Sequence, residues 1–502
     1  MVVKCLMLSK VLRRSLSIFV TLGLIIISIL MLERDRAGLV IYNKSIGTTP
    51  AVLYQLPDST GPVVVVAHGF AGSIQLMQAY SLTLARAGYR VVAFDFEGHG
   101  KNTVPMSGDV NSIDGTTALL ITQTRDVIAA SRALAGVSQI ALLGHSMATD
   151  ILIRAAEAEA VEGNPVNTIV AISMFSEAVT DQFPKNMLII SGSWERFLRE
   201  AALDAVRLVK SDALEGERVV SEQITRRALI APNVEHVGVL FSATAIDEAR
   251  LWLDDVFGRS SEVGRNISWI WILSLFAGVV MLLRPITRLI PKKNSNRAIS
   301  MRRLRLAIFL PAIFTPLVVT SVYVNFMPVL VADYLMIHMA LYGVLQITLL
   351  GVWPSVLARP SWLALCVILV WGIVLFGFAS DRYAASFFPT PQRIFIILAL
   401  TIGTIPVMIA DAYATNAGYG SIWARIFSRV ALISSLVAAA IINPYELTFI
   451  ILVLPVLILF FLVHGAMGRW IGQRAGANSA GLGLGICLAW ALGVSFPLFS
   501  VY

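Results

Sequence analysis

The hydrophobic positions of this 502-residue chain follow two different patterns. Between residues 34 and 265, short apolar runs alternate with amphipathic stretches, which is typical of buried strands alternating with helices. Near the start of the chain and from residue 266 onwards, the apolar runs reach about 18 residues or more, the length that a helix needs to cross a bilayer. The pattern therefore predicts an α/β domain combined with an all-α transmembrane helix bundle.

The first pattern predicts the order of the elements in the α/β domain. Strands are predicted at 63–67, 90–94, 140–143, 168–173, 186–191 and 227–231, and helices at 74–87, 116–135, 147–158, 196–210 and 243–257. Continuous β-branched runs such as 63–67 are typical of strands buried on both faces. Strands that alternate with helices in this way predict a parallel sheet covered by helices.

The second pattern predicts nine membrane spans. They lie at 15–32, 266–283, 306–325, 328–352, 361–380, 393–412, 427–443, 446–465 and 479–500. The chain is accordingly divided into an N-terminal anchor (1–33), the α/β domain (34–265) and a multi-span domain of about eight helices (266–502). No recognised family covers this last domain.

The charges predict how the chain crosses the membrane. Residues 34–265 contain 20 Lys and Arg against 26 Asp and Glu, so 19 basic and only 5 acidic residues remain for the rest of the chain. Basic clusters precede the first span and follow the second, and basic loops stay in the cytoplasm. We therefore expect a multi-pass protein of the cytoplasmic membrane, with its N-terminus inside and the α/β domain outside. An acidic outer domain also makes nucleic acid an improbable partner.

Cysteine and motif content exclude several kinds of site. All three cysteines, Cys5, Cys366 and Cys487, fall in or beside predicted spans, so the α/β domain has no disulfide. No Cys and His spacing suits a metal ion, and no glycine-rich phosphate loop occurs, so neither a metal nor a cofactor is implied. Nothing in the sequence indicates an oligomeric state.

One pentapeptide carries the candidate chemistry. The predicted strand 140–143 leads into Gly144-His145-Ser146-Met147-Ala148, which matches G-x-S-x-G except at its fifth position. In that motif a sharp turn from strand to helix exposes the serine oxygen. The alternative is an ordinary strand-to-helix turn, since so short a motif also arises by chance.

Three motifs in order make the pentapeptide more specific. HGFAGS (68–73), DFEGHG (95–100) and GHSMA (144–148) resemble the α/β-hydrolase fold in their order and separation, over residues 54–258. The resemblance implies Ser146 as nucleophile and His236 as base, since His236 is the histidine after the last predicted strand. It also implies an oxyanion hole formed by the backbone N–H groups of Phe70 and Met147.

The acid of the triad is less sharply defined. The family places it in the turn after a late strand, which favours Glu195, while Glu177 and Asp181 are alternatives. Many relatives insert a helical lid before that turn, but the corresponding gap at 174–185 is too short for one. We therefore expect a hydrolase domain without a helical lid.

These residues indicate a membrane-bound serine hydrolase of the carboxylesterase or lipase type. It would cleave an apolar or lipid-like ester through an acyl-enzyme intermediate, with that ester and membrane lipids as its partners. An envelope acyltransferase is one alternative. Another is a transporter or channel with a regulatory outer domain, because Asp333, His338 and Asp411 lie in predicted spans, where ionisable residues are costly. Asp333 and His338 are five residues apart and so face different sides of their helix.

Overall fold

The computed structural model describes residues 2–109, 113–134, 136–137, 139–293, 299–323 and 325–500, with side chains from residue 16 onwards. Within them are two compact units. The sheet unit consists mainly of Ile29–Ile272, and the helical unit mainly of Leu273–Asp381 and Phe387–Phe496. The side chain of Cys5 and the predicted helix end at Ala135 lie outside the described residues.

The sheet unit contains a nine-stranded sheet in the order β1-β2-β4-β3-β5-β6-β7-β9-β8. The strands are β1 Val40–Ile46, β2 Thr49–Gln55, β3 Val63–Ala67, β4 Arg90–Phe94, β5 Ile140–His145, β6 Thr168–Ile172, β7 Asn186–Gly192, β8 Arg218–Ser221 and β9 Ile224–Ala231. Strands β4, β3, β5, β6, β7 and β9 are parallel, and the three outer strands are antiparallel to their neighbours. This sheet confirms the predicted fold class.

Helices cover the sheet because its central strands are apolar on both sides. The helices of this unit are α2 Gln78–Arg86, α3 Ala118–Arg132, α4 Met147–Val161, α5 Arg196–Arg207 and α6 Ala243–Val256. Val64 and Val66 pack in one core with α2 and α6, whereas Val63 and Val65 point to the other face of the pleat. All four valines are at most 1% exposed, as their continuous apolar run predicts.

The predicted strands and helices of this unit are present, with ends that differ by a few residues. Strands β1, β2 and β8 were not predicted. Residues 173–185, between β6 and β7, contain no helix, as expected for a domain without a helical lid in that gap.

Nine of the described helices are long and apolar enough to cross a membrane. They are α1 Val2–Arg36, of which Leu16–Arg36 is the candidate span, α7 Ser268–Ile286, α8 Met301–Ser321, α9 Ala332–Leu350, α10 Trp362–Tyr383, α11 Pro391–Ala414, α12 Ile422–Ile442, α13 Ile450–Ala475 and α14 Ala477–Ser495. Gly343 and Gly403 allow α9 and α11 to pack closely, because a Cβ on either would lie within 2.4 Å of the other helix's backbone.

The sheet unit also includes two short segments from later in the chain, Arg382–Ser386 and Pro497–Tyr502. Arg382 makes two hydrogen bonds to the Glu33 carboxylate, at 2.6 and 2.8 Å, and the Ser386 N–H donates to the Ser73 hydroxyl at 3.1 Å. Leu498 exchanges backbone hydrogen bonds with Gly98 and Met106. These segments therefore contact the loops that follow β3 and β4.

Candidate active site

Ser146 occupies a strained turn between β5 and α4. Its backbone has φ 53° and ψ −121°, a conformation that costs a non-glycine residue about 1–3 kcal/mol. The Ser146 N–H donates to the Ile172 carbonyl at 2.9 Å. Ala148, at the fifth motif position, is tolerated because Gly144 has no side chain: a Cβ on Gly144 would lie 3.2 Å from that of Ala148. The hydrogen bond of the Ser146 N–H and the close packing of Gly144 against Ala148 thus hold the turn in place.

Three of the predicted site residues form one continuous line of hydrogen bonds. His236 Nε2 lies 2.9 Å from Ser146 Oγ, and His236 Nδ1 lies 2.6 Å from Glu195 Oε1. Ser146 follows β5, Glu195 follows β7 and His236 follows β9, so the carboxyl ends of three parallel strands bring them together. A nucleophile, a base and a group that orients the base are therefore in contact.

The second oxygen of Glu195 is fixed by two further donors. Oε2 accepts hydrogen bonds from the Gly192 N–H at 2.5 Å and from the Ser173 hydroxyl at 2.7 Å. Ser173 directly follows β6 and has φ 50°, which turns its side chain into this position. Sequence reasoning missed Ser173, because nothing in its local pattern distinguishes it from any other residue at a strand end.

The two alternative acids lie apart from this line. Glu177 and Asp181 are both exposed, on the segment between β6 and β7. Across the described part of the chain, neither carboxylate is hydrogen-bonded to His236, whose Nδ1 bonds to Glu195 instead.

Burial and hydrogen bonding act in opposite directions on Glu195. Burial alone would raise the pKa of this carboxyl, but hydrogen bonds from His236, Gly192 and Ser173 outweigh it and lower the pKa below the usual 4.5. His145, whose ring lies 4.7 Å from that of His236, is different: burial lowers its pKa to about 3. Glu195 is therefore charged and His145 neutral at neutral pH.

The loop after β3 lies against the serine. A Cβ on Gly69 would lie 3.0 Å from that of Ser146, so only glycine allows this approach. The next residue is Phe70, and Met147 directly follows Ser146 as the first residue of α4. The predicted pair of oxyanion donors thus flanks the serine in the fold, and their role remains a prediction.

His68 and Asp95 hold that loop. His68 Nδ1 lies 2.8 Å from the Gly69 carbonyl, and its Nε2 accepts from the Phe96 N–H at 3.2 Å. Burial lowers the pKa of His68, so the ring is neutral with its proton on Nδ1. Asp95 accepts from the backbone N–H groups of Ile74 and Lys101, both at 2.8 Å. These contacts give both residues a structural use.

Large, exposed apolar side chains occur on the segments that carry Ser173, Glu195 and His236. Phe175 follows β6, Trp194 and Phe197 flank Glu195, and Val237 follows His236. They are 55%, 69%, 66% and 44% exposed, respectively, and the rings of Phe175 and Phe197 are 6.1 Å apart. We call these four residues the apolar collar. Exposed apolar groups clustered at one site are typical of a binding surface.

The lowered pKa of Glu195 predicts that the stability of the turn from Gly192 to Glu195 depends on pH. A carboxyl whose pKa is lower in the folded state stabilises that state fully above the unfolded value, near 4.5, and loses this contribution as pH falls through the lower folded value. We expect Glu195→Gln to increase hydrogen–deuterium exchange of the Gly192 N–H at neutral pH. The difference from wild type should shrink as pH falls below about 4.5. An equal difference at every pH would contradict this linkage.

No group of three or more His, Cys, Asp or Glu side chains placed to hold a metal ion occurs in the described residues. The residues suited to catalysis are those of the hydrogen-bonded line from Ser146 through His236 to Glu195.

Comparison with known proteins identifies the fold of this unit. Residues 62–223 match the family model of the alpha/beta hydrolase fold. Among solved structures, the chain is similar to a bacterial membrane phospholipase A (18% identity, 51% of this chain and 99% of the other, TM-score 0.33). It is also similar to a CIB-like hydrolase from Thermoplasma acidophilum (17% identity, 43% and 100%, TM-score 0.33). A third is a dienelactone hydrolase from Anabaena variabilis (16% identity, 43% and 98%, TM-score 0.33).

No curated protein matches the chain. The family model covers the strands β3 to β8 and both loops beside Ser146, and it carries the assignment. The sheet unit of this chain thus has the α/β-hydrolase fold.

Proposed function

We propose that the sheet unit is a serine hydrolase that cleaves carboxylic esters through an acyl-enzyme. The observation that carries the proposal is the continuous hydrogen-bonded line from Ser146 through His236 to Glu195. A serine hydroxyl is a weak nucleophile, and a neutral imidazole held in hydrogen-bond contact activates it. The Glu195 carboxylate fixes the proton of His236 on Nδ1 and leaves Nε2 free to accept the serine proton.

The reaction takes place in two halves. Ser146 Oγ attacks the ester carbonyl carbon as its proton moves to His236 Nε2, and the oxyanion accepts hydrogen bonds from the Phe70 and Met147 N–H groups. The carbon–oxygen bond then breaks, and His236 gives its proton to the leaving alcohol. In the second half, water loses a proton to His236 and attacks the acyl-enzyme. The acid leaves and the Ser146 hydroxyl is restored.

The apolar collar supports a substrate with a long acyl chain. The double variant Phe175→Ala, Phe197→Ala should lower kcat/KM for a dodecanoyl ester by roughly 10²- to 10⁴-fold, because each of the two aromatic contacts buried by the acyl chain contributes about 1.5–3 kcal/mol. An acetyl ester, which is too short to reach both rings, should be cleaved nearly as before. As a matched control, Val161→Ala removes an exposed apolar side chain at the far end of α4 and should change neither rate. Equal losses on both esters would contradict binding by the collar.

Charge and packing support an outer location for the sheet unit. We place the sheet unit outside the cytoplasmic membrane and the N-terminus inside, according to the basic residues that flank the first two spans. The packing of Arg382–Ser386 and Pro497–Tyr502 within the sheet unit supports this, because an alternation of nine spans puts both segments on the outer side. The ester then comes from the outer membrane surface or its surroundings.

Labelling by a fluorophosphonate probe tests the proposed function. Such probes bond covalently to serines that an adjacent base activates. Full-length protein in isolated membranes should be labelled, and both Ser146→Ala and His236→Ala should abolish the label. Persistent labelling of the Ser146→Ala variant would show that another nucleophile is responsible. Dependence of product formation on an added alcohol acceptor would instead indicate acyl transfer.

A further inference from the structure

The helical unit contains a line of buried polar side chains along one helix. Tyr334, His338, Tyr342 and Gln346 are spaced four residues apart on α9 and therefore lie on one face. Asp333 lies beside them at the start of the same helix, and none of the five is more than 1% exposed. From Asp333 to Gln346 the line extends for about 20 Å, most of the apolar thickness of a bilayer.

Hydrogen bonds and one contact between aromatic rings connect the first part of this line. The Tyr323 hydroxyl donates to Asp333 at 2.7 Å, and the rings of Tyr323 and Tyr334 are 5.3 Å apart. His338 uses both nitrogens: Nδ1 lies 3.1 Å from the Tyr334 hydroxyl and Nε2 lies 3.1 Å from the Ser435 hydroxyl of α12. A histidine with a partner on each nitrogen can accept a proton on one side and release one on the other.

A second carboxylate lies at the other end. Asp411 of α11 accepts from the Ser428 hydroxyl at 3.0 Å and lies 3.5 Å from the Arg429 guanidinium. Asp411 lies one turn after Val407 on α11, and the backbone of Val407 packs against Gly343 of α9, the residue after Tyr342. The line thus has an ionisable group at each end, Asp333 near the start of α9 and Asp411 near the end of α11.

Two members of the line are buried without a partner. Within the described residues, neither the Tyr342 hydroxyl nor the Gln346 amide nitrogen has a hydrogen-bond partner. A network that only supported the fold would leave few such groups, since each costs about 1–3 kcal/mol. Carboxylates and histidine are also costly inside a membrane and mark ion or proton pathways there. Buried polar groups that lack a partner are suited to a transient proton or water.

We propose that the helical unit conducts protons across the membrane along the line Asp333, Tyr323, Tyr334, His338, Tyr342, Gln346 and Asp411, which we call the polar file. Each group of the polar file that can carry a proton accepts a proton from its neighbour on the side of higher proton concentration. It releases a different proton to its neighbour on the other side. The protonation of the file is therefore unchanged after one transfer, and the concentration difference or the membrane potential supplies the energy. Water between the groups completes the steps at which side chains do not bond directly.

The polar file is independent of the proposed ester hydrolysis. All its members belong to the helical unit, whereas Ser146, His236 and Glu195 belong to the sheet unit. The variant Ser146→Ala should therefore conduct protons like wild type. If the protein did not cleave esters, the proposed proton conduction would still stand. If it did not conduct protons, the proposed ester cleavage would still stand.

Full-length protein in liposomes that enclose a pH-sensitive dye provides the test. When a potassium gradient and valinomycin impose a membrane potential, wild-type protein should change the internal pH faster than protein-free liposomes. His338→Phe should lower that rate by roughly 100-fold, because it removes the central proton-transfer group. Tyr342→Phe should lower it by at least about tenfold and should not harm folding, because it removes only an unpartnered hydroxyl.

A second buried histidine provides the matched control. His464 of α13 stacks on Phe460, with ring centroids 4.7 Å apart, and is not a member of the polar file. His464→Phe should conduct protons like wild type. Wild-type flux no greater than that of empty liposomes would overturn the proposal. Unchanged flux in His338→Phe and Tyr342→Phe, or an equal loss in His464→Phe, would also overturn it.

Discussion

Replacing Ser146 with alanine is expected to lower ester turnover by a factor on the order of 10⁶, because no other group can form the acyl-enzyme. The substitution removes one oxygen and leaves the turn in place, since alanine occupies the same φ of 53° at no greater steric cost. The protein should therefore reach the membrane in normal amounts. The measurement is kcat/KM on a short ester, with full-length protein in detergent.

A serine away from the site provides the comparison. Ser221 is exposed at the end of β8, on the edge of the sheet, and Ser221→Ala should leave kcat/KM unchanged. Turnover by Ser146→Ala within tenfold of wild type would contradict the assigned nucleophile. A comparable loss in Ser221→Ala would point to an effect on folding instead.

The central strands could be predicted because their own residues determine their burial. Val63–Ala67 is apolar at every position, and such a run suits a strand that other elements cover on both faces. Strands β1 and β8 carry mostly exposed residues, so their sequences contain little sign of a strand. They form because a neighbouring strand offers free backbone groups, and the local pattern does not reveal that neighbour.

The ends of the membrane helices differ from the predicted ones for a related reason. A span was predicted at 306–325, and the helix is Met301–Ser321. Hydropathy detects the apolar part, but Arg302, Arg303 and Arg305 continue the helix into the first turns. Charged residues form helices readily, so an apolar run marks the buried length of a helix rather than its ends.

The residues of the candidate site also differ in how far the sequence predicts them. Ser146 and His236 could be placed from motif and chain order, because the strand-to-helix turn and the end of the last strand are local features. The choice of Glu195 over Glu177 and Asp181 was favoured by the sequence but not decided by it. It depends on where the segment after β6 runs, and there the positive φ of Ser173 directs a hydroxyl to the Glu195 carboxylate.

Replacing Glu195 with glutamine is expected to lower turnover by about 10⁴-fold, although the two side chains have almost the same shape. Oε2 of Glu195 faces two donors, the Gly192 N–H and the Ser173 hydroxyl. Glutamine must turn its carbonyl oxygen towards them, which leaves its NH₂ group facing His236 Nδ1. Nδ1 then has to accept a hydrogen bond, so the proton of the imidazole moves to Nε2. In that tautomer His236 cannot accept the Ser146 proton.

The neighbouring acid distinguishes this effect from a general loss of charge. Glu177→Gln removes one negative charge from the exposed segment after β6 and should leave kcat/KM unchanged. A ¹⁵N spectrum of the histidine rings should show the proton of His236 on Nδ1 in wild type and on Nε2 in Glu195→Gln. If Glu177→Gln lost as much activity as Glu195→Gln, or if the His236 tautomer did not change, the orienting role of Glu195 would be wrong.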